Sequence, residues 1–180
     1  KTVMGWSGIG GGPKVAVNVS VRQIVVPRFA RMVENLLRET GFPADRLIIE
    51  VTESIFEIRR TQLVSEVLAD LHDLGVEIHI DDFGTGYSSL SRLHEIRVDA
   101  VKIDKSFVLN MDVNARAVIE GAILIAHRFG LVVIAEGVET SQQRDELAAM
   151  GVDAYQGYFF ARPAEGVCQD LHWQDTPRSF

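Results

Sequence analysis

The sequence has little cysteine, no long apolar run and no surplus of basic residues. Cys168 is the single cysteine among 180 residues, so neither an intrachain disulfide nor a cysteine-rich zinc site can form. No apolar stretch approaches the roughly 18 residues that span a membrane, and no charged-then-apolar leader precedes a cleavage site. These absences predict a protein of a reducing compartment, the cytoplasm.

Acidic residues outnumber basic ones. Lysine and arginine total 18, aspartate and glutamate total 25, and the formal net charge is −7. Surfaces that bind nucleic-acid polymers are usually basic because they displace counterions from phosphates, so such a partner is disfavoured. A small phosphate ligand is compatible with this charge if a metal ion supplies the positive charge.

Short β-branched runs alternate with amphipathic stretches along the whole chain, which is typical of βα units around a parallel sheet. The predicted strands are Val15–Val19, Leu47–Val51, Ile78–Asp82, Ala100–Ile103, Leu131–Glu136 and Ala154–Phe160. Apolar residues at helical spacing predict faces that cover the sheet: Phe29, Val33, Leu36 and Leu37, then Val64, Val67, Leu68 and Leu71. Left-handed helix caps are predicted at Gly41, Gly75, Gly130 and Gly151.

Polar residues terminate nearly every predicted strand. A doubly wound sheet recruits few strands to its ligand, whereas a barrel gathers residues from many strand ends onto one face. We therefore predict an α/β protein with a TIM-like (β/α) barrel. A barrel of eight units takes about 250 residues, so we expect an incomplete barrel of about six units in residues 1–172, followed by a C-terminal tail at 173–180.

Side chains suited to metal binding stand at the ends of apolar strands, where an unpaired charge is costly to desolvate. They are Asn18, Glu50, Asp81, Asp82 and Glu136. Clustered carboxylates repel one another unless cations neutralise them, and magnesium and manganese prefer oxygen ligands. Asp81 could bridge two ions while Asp82 binds one, which suits phosphodiester hydrolysis by a metal-activated water.

Lys102 leaves two interpretations open. It could orient the attacking water or neutralise a phosphate oxygen, but a lone lysine in a strand is more often a structural ion-pair partner. An enolase-like lyase with Lys102 as its base is a further alternative. The five histidines show no zinc-ligand spacing, and no serine or cysteine lies in a nucleophile context, so covalent catalysis is disfavoured.

Six short motifs follow one another along the chain. They are Asn18-Val19-Ser20, Glu50-Val51-Thr52-Glu53, the run from Asp81 to Leu90, Lys102-Ile103-Asp104, Glu136-Gly137-Val138-Glu139 and Gln156-Gly157-Tyr158. Together, from about Val15 to Pro163, they resemble the bacterial EAL domain family. The resemblance implies a modified TIM barrel that hydrolyses cyclic di-GMP to linear pGpG in second-messenger signalling, with two magnesium or manganese ions.

The resemblance also implies a metal-binding set. Asn18, Glu50 and Asp81 match ligands of a first ion, and Asp81 and Asp82 match ligands of a second. The Glu-Ala-Leu segment that gives the family its name supplies a further glutamate and a phosphate-contacting arginine. Neither has a counterpart upstream of Asn18, and we expect this to reflect truncation.

The catalytic set implied by the resemblance is Glu136, Lys102 and Asp82. Lys102 matches a water-orienting lysine, and Glu136 matches a general base or second-metal partner. Glu53 matches a glutamate that anchors the loop 83–89, which the family associates with metal binding and dimerisation. Further active-site positions are matched by Asp104, Glu139 and Gln156.

The resemblance further implies a homodimer fused to sensory or GGDEF-type domains in its parent protein. The alternative function is an inactive EAL module that binds cyclic di-GMP or another protein, because one metal-ligand glutamate is missing. For the 180-residue chain alone we expect weak or absent turnover.

Overall fold

The computed structural model describes residues 13–57, 61–86 and 90–162. Its strands β1 to β6 are Val15–Asn18, Leu47–Thr52, Glu77–Phe83, Ala100–Ile103, Val132–Ala135 and Ala154–Tyr155. Its helices α1 to α6 are Val21–Ile24, Phe29–Thr40, Thr61–Asp73, Lys105–Leu109, Val113–Arg128 and Ser141–Met150. Short 3₁₀ helices occupy Ala44–Arg46, Glu53–Glu57 and Leu90–Glu95.

The six strands form one parallel sheet whose spatial order equals the chain order. Helices connect successive strands, so the chain forms part of a TIM-like barrel, which confirms the predicted fold class. We call the edge at which the strands end the C-terminal rim: Asn18, Thr52, Phe83, Ile103, Ala135 and Tyr155. The opposite edge, at which they begin, is the N-terminal rim: Val15, Leu47, Glu77, Ala100, Val132 and Ala154.

Successive strand side chains point to opposite faces of the sheet. Ile49 and Val101 lie in the hydrophobic core, and their neighbours Glu50 and Lys102 are buried on the other face. His79, paired in register with Glu50, is also buried. Because a desolvated charge is costly unless it is paired, this polar face needs its own counter-charges. No described helix is long and apolar enough to cross a membrane.

The predicted helix faces are largely correct. On α3 the four residues of the predicted face are buried: Val64, Val67, Leu68 and Leu71. On α2, Phe29 and Val33 are buried but Leu36 is 51% exposed. Leu36 lines an apolar groove that also includes Val17 of β1. The prediction fails at Leu36 because helical spacing shows which residues are apolar but not whether another element covers them.

Helix ends follow the local sequence. The predicted cap glycines all have positive φ: Gly41, Gly75, Gly130 and Gly151. Thr140 and Gln143 form a capping box at the start of α6, in which Thr140 Oγ1 accepts from Gln143 N at 3.2 Å and Gln143 Oε1 accepts from Thr140 N at 3.0 Å. These contacts fix where the strand-end loops give way to helices.

The last predicted strand is wrong in its extent. We expected Ala154–Phe160, but β6 ends at Tyr155. Beyond it the chain turns, and Phe160 N donates to Gly157 O at 3.1 Å. Phe159 N donates to Val138 O at 2.9 Å, so this aromatic run packs over the loop after β5 rather than extending the sheet.

At the N-terminal rim, each of two aspartates makes two hydrogen bonds with a residue near the start of a neighbouring strand, and we call each such pair of bonds a clasp. Ile78 N donates to Asp99 Oδ2 at 2.8 Å, and Asp99 N donates to Ile78 O at 2.8 Å. The same pattern recurs two strands on, where Val133 N donates to Asp153 Oδ2 at 2.8 Å and Asp153 N donates to Val133 O at 3.0 Å. Each clasp satisfies backbone groups beside residues that are fully buried.

Each of these aspartates also faces a histidine. The histidine lies near the C-terminal end of the helix that precedes the bonded strand, α3 before β3 and α5 before β5. His72 Nε2 lies 3.3 Å from Asp99 Oδ1, and His127 Nε2 lies 2.9 Å from Asp153 Oδ2. These pairs are partly exposed, so each contributes little beyond the backbone bonds. At this rim, therefore, each acid side chain already has its partners.

Candidate active site

Lys102 is the centre of the polar cluster at the C-terminal rim. Its Nζ lies 2.8 Å from Glu50 Oε1, 3.1 Å from Asp81 Oδ1 and 2.6 Å from Glu136 Oε1. Glu50 is on β2, Asp81 on β3, Lys102 on β4, and Glu136 follows β5. Four consecutive strands thus bring one charged side chain each to a single point.

The register of the strands explains this convergence. Glu50 pairs with His79 across β2 and β3, so Asp81 lies two residues further toward the rim on the same face. Lys102 pairs with Ile134 across β4 and β5, and Glu136 is likewise two residues further on. Lys102 follows Val101, which pairs with Ile80, so it lies level with Asp81. Its ammonium is therefore between Glu50, two residues below it, and Glu136, two residues nearer the rim.

The electrostatics keep Lys102 charged although its side chain is only 5% exposed. Burial alone would lower the pKa of Lys102, but its hydrogen bonds to Glu136 and Glu50 outweigh burial and raise the pKa far above its usual range. Removing one partner of a buried ion pair leaves an uncompensated charge, which costs several kcal/mol. Lys102 is therefore a structural ion-pair partner as well as a candidate for chemistry.

One ammonium does not neutralise the acids around it. Burial raises the pKa of Glu136 above its ordinary value, and the nearby carboxylates of Asp81 and Glu50 act in the same direction, against the opposing effect of Lys102. Burial, which disfavours the charged form of an acid, is the largest of these effects. Three carboxylates contact one ammonium, so the cluster has more negative than positive groups.

Asp82 and Asp104 form a second acidic contact beside the cluster. Asp82 adopts the left-handed φ of 56° at an irregularity in the pairing of β3 with β4. Burial raises the pKa of Asp82, and Asp81 and Asp104 raise it further. Burial would also raise the pKa of Asp104, but hydrogen bonds from Ser106 outweigh it and hold that pKa below its ordinary value.

Glu53 holds the loop that follows β3. Its Oε2 accepts from Gly84 N and Gly86 N, both at 3.0 Å, and Glu53 itself is buried. A Cβ on Gly86 would lie 2.5 Å from Glu53 Oε1, so the loop backbone can approach only because a glycine is there. Residues 87–89, the rest of the predicted loop, lie outside the described part of the chain.

The remaining predicted residues lie around the cluster without a described contact to Lys102. Asn18 is exposed at the end of β1 and pairs in register with Glu50. Glu139 is exposed, and its backbone N donates to Gln143 Oε1 at 2.8 Å. Gln156 is exposed, and its carbonyl accepts from Val138 N at 3.0 Å. The predicted tail at 173–180 is outside the described residues.

Sequence reasoning did not find the role of two glycines. Gly137 and Gly157 each follow a polar residue at a strand end, and each comes into close contact with another segment of the rim. That repeated polar-glycine pattern was the available signal. Within the described ranges, no three His, Cys, Asp or Glu side chains are arranged to hold a metal ion, and Lys102 occupies the point of convergence.

The sequence matches the EAL domain family model over residues 2–163. The chain belongs to the EAL domain family. It is 34% identical over 169 residues to the cyclic di-GMP phosphodiesterase PdeR of Escherichia coli K12, a match that covers 93% of this chain and 25% of PdeR. The family that the ordered motifs indicate is thus confirmed, and this EAL domain spans about a fifth to a quarter of the length of the curated relatives it matches.

Two solved structures are also similar to this chain in both fold and sequence. The PaMucR phosphodiesterase in complex with c-di-GMP has a TM-score of 0.77 and 36% identity to this EAL domain, over 83% of this chain and 67% of that chain. BlrP1 of Klebsiella pneumoniae, in a complex with manganese and cyclic di-GMP, has a TM-score of 0.76 and 30% identity, over 86% of this chain and 40% of that chain.

Proposed function

We propose that this EAL domain hydrolyses cyclic di-GMP to linear pGpG. The observation that carries the proposal is the convergence of Glu50, Asp81 and Glu136 on Lys102 at the ends of four consecutive strands. Active sites of (β/α) barrels lie at this rim. The activity named for PdeR and the nucleotide in the PaMucR complex support the choice of substrate.

The chemistry of the donors, rather than their present arrangement around Lys102, fits a hard divalent cation. Four carboxylates, those of Glu50, Asp81, Asp82 and Glu136, lie near one ammonium, and oxygen ligands are those that magnesium and manganese prefer. Two such ions, held by Asn18, Glu50, Asp81 and Asp82, would stabilise charge on the phosphate and lower the pKa of a bound water. The manganese in the BlrP1 complex supports this choice of ion.

Glu136 and Lys102 carry the proton and charge steps. Glu136 accepts the proton of the attacking water, and its raised pKa makes it a stronger base than an ordinary carboxylate. Lys102, 2.6 Å from Glu136, orients the water and neutralises charge on a phosphate oxygen. The water oxygen bonds to phosphorus as one phosphoester bond breaks, and the leaving oxygen takes up a proton. The product is a linear dinucleotide with one new phosphate monoester and one new hydroxyl.

The other predicted residues would support this site. Glu53 anchors the loop beside Asp82, and the substrate side is formed by Asp104, Glu139 and Gln156. The domain would act as a homodimer in the cytoplasm. Because the relatives are several times longer than the matched region, sensory or GGDEF-type segments would accompany it.

Product analysis tests the proposal. The chain, alone and joined to an upstream segment with a Glu-x-Leu-x-Arg pattern, is incubated with cyclic di-GMP and magnesium or manganese, and pGpG is quantified by chromatography. We expect metal-dependent pGpG in the longer protein, lowered at least about 100-fold by Asp81→Asn and unchanged by the N-terminal-rim control Asp99→Asn. Tight nucleotide binding without turnover would contradict the proposal and favour a binding module.

A further inference from the structure

Two loops cross in direct backbone contact at the C-terminal rim. Val138, which follows Glu136 by two residues, is fully buried. Its N donates to Gln156 O at 3.0 Å, and its O accepts from Phe159 N at 2.9 Å. Both backbone groups of Val138 are therefore bound by the segment on either side of Gly157.

Gly157 makes this crossing possible. A Cβ at this position would lie 2.2 Å from Val138 O and 2.3 Å from Val138 N. These are backbone atoms, so no flexible side chain can move aside to make room. Any larger residue at Gly157 must push the two loops apart.

Gly137 makes a comparable contact on the other side of the same loop. A Cβ on Gly137 would lie 2.5 Å from Lys105 Cβ and 3.3 Å from Lys105 Cα. Lys105 begins α4, three residues after Lys102. The loop that carries Glu136 is thus confined between the start of α4 and the segment after β6.

We propose that Gly137 and Gly157 are positioning residues that hold Glu136 against Lys102. The Glu136 Oε1 to Lys102 Nζ distance of 2.6 Å is the shortest of the three contacts of that lysine. Its two partners come from different strand ends, so their separation depends on how closely the loops pack. The geometric claim stands on these contacts, while its consequence for turnover rests on the proposed function.

The two glycines are tested against a matched control. Gly130 has a φ of +71°, nearly that of Gly137 at +70°, but a Cβ on Gly130 meets no atom of the described residues within 4 Å. Gly130→Ala and Gly137→Ala therefore place alanine at nearly the same positive φ, and among the described residues only the second adds a collision. The readout is the NMR signal of the Lys102 ammonium in chain labelled with ¹⁵N-lysine, which has four lysines to resolve.

We expect Gly137→Ala and Gly157→Ala to shift or broaden the Lys102 signal in the chain. In the longer protein that carries the upstream segment, they should lower kcat by about 10- to 100-fold with little change in KM, because a small misplacement of a reacting group costs about this much. Gly130→Ala should change neither. Lys105→Gly, added to Gly137→Ala, removes the colliding Cβ and should restore the Lys102 signal, which also covers the case in which Gly137→Ala alone does not fold.

A folded Gly137→Ala or Gly157→Ala chain with an unchanged Lys102 signal would overturn the proposal, as would a double variant that does not recover the signal. The proposed function fails in a different way. If the Lys102 signal responds as expected but the unsubstituted longer protein, with its upstream Glu-x-Leu-x-Arg segment, forms no pGpG, the positioning role holds and the assignment of the reaction is wrong.

Discussion

At the N-terminal rim, Asp99 and Asp153 each accept a backbone N–H and face one histidine, whereas the C-terminal rim packs several carboxylates around the single ammonium of Lys102. Each of these acids at the N-terminal rim accepts a hydrogen bond from a backbone N–H near the start of a strand. Acids at the C-terminal rim repel one another, and burial raises the pKa of Glu136 there. The difference separates the rim at which acids add stability from the rim at which stability is given up for the candidate active site.

The backbone conformation also differs between the two rims. Asp82 takes a left-handed conformation at the C-terminal rim. Two loops also approach there so closely that only a glycine fits at the position of Gly157. At the N-terminal rim, a Cβ on the cap glycine Gly130 would contact none of the residues that the structure describes. Strain and close contact that a stable fold would avoid are therefore concentrated at the rim with the candidate active site. Four substitutions test this comparison.

Lys102→Met should have the largest effect. It leaves buried carboxylates without their cation, and we expect the free energy of unfolding to fall by about 3–5 kcal/mol, with loss of turnover. Lys14→Met is the control at the other rim, because Lys14 pairs with Glu77 but its side chain is 48% exposed, and its cost should stay within about 1 kcal/mol. Urea unfolding measures both, and equal costs would contradict the contrast.

Glu136→Gln should separate function from stability. We expect turnover of the longer protein to fall at least about 100-fold, with the free energy of unfolding of the chain at pH 7 unchanged or higher. The folded chain binds the Glu136 proton more tightly than the unfolded chain does, so this group's contribution to stability falls as the pH rises above its ordinary pKa of 4.5. The variant lacks this loss.

Urea unfolding of both proteins at pH 4.5 and pH 7, without metal, checks this sign. The stability of Glu136→Gln relative to the unsubstituted chain should increase with pH. A relative stability that falls as the pH rises would mean that Lys102 favours the charged form of Glu136 more than burial disfavours it.

Asp153→Ala should lower the free energy of unfolding and leave turnover unchanged, the reverse of Glu136→Gln. It removes the acceptor of Val133 N at the N-terminal rim, and we expect a loss of about 1–3 kcal/mol from the unsatisfied buried donor. Turnover per folded molecule should stay the same, measured under conditions in which the variant is fully folded. A loss of turnover without unfolding would show that the two rims are coupled.

His127→Ala should have the smallest effect. His127 lies 2.9 Å from Asp153, but its side chain is 42% exposed, so we expect a cost of at most about 1 kcal/mol. A double-mutant cycle with Asp153→Ala measures the pair directly. If the coupling energy equals the whole cost of Asp153→Ala, the contribution of Asp153 to stability comes from its contact with His127 rather than from the hydrogen bond that it accepts from Val133 N.

The sequence predicted the βα order and the polar strand ends because both depend on local patterns. The apolar run that leads to Glu50 and the regular cap glycines required no knowledge of distant contacts. The predicted end of β6 at Phe160 was wrong because an apolar aromatic run has strand character, while a tertiary contact at Gly157 turns the chain. Local propensity could not show that contact.

The internal geometry of the site was also beyond the sequence. That Lys102 binds three acids at once depends on the register of four strands, and neither interpretation of this lysine stated it. The left-handed Asp82 depends on an irregularity between β3 and β4. The EAL resemblance supplied the residues of the site, and the structure supplied their contacts.

Manganese binding to the chain in the presence of cyclic di-GMP tests the central claim most directly. Ligands that bind only the folded state stabilise it, by about 2.7 kcal/mol at 100 times the Kd. We predict that manganese raises the unfolding midpoint of the unsubstituted chain and of Asp99→Asn, but not that of Asp81→Asn. Equal responses of the two aspartate variants would contradict the assignment of the cation site to the C-terminal rim.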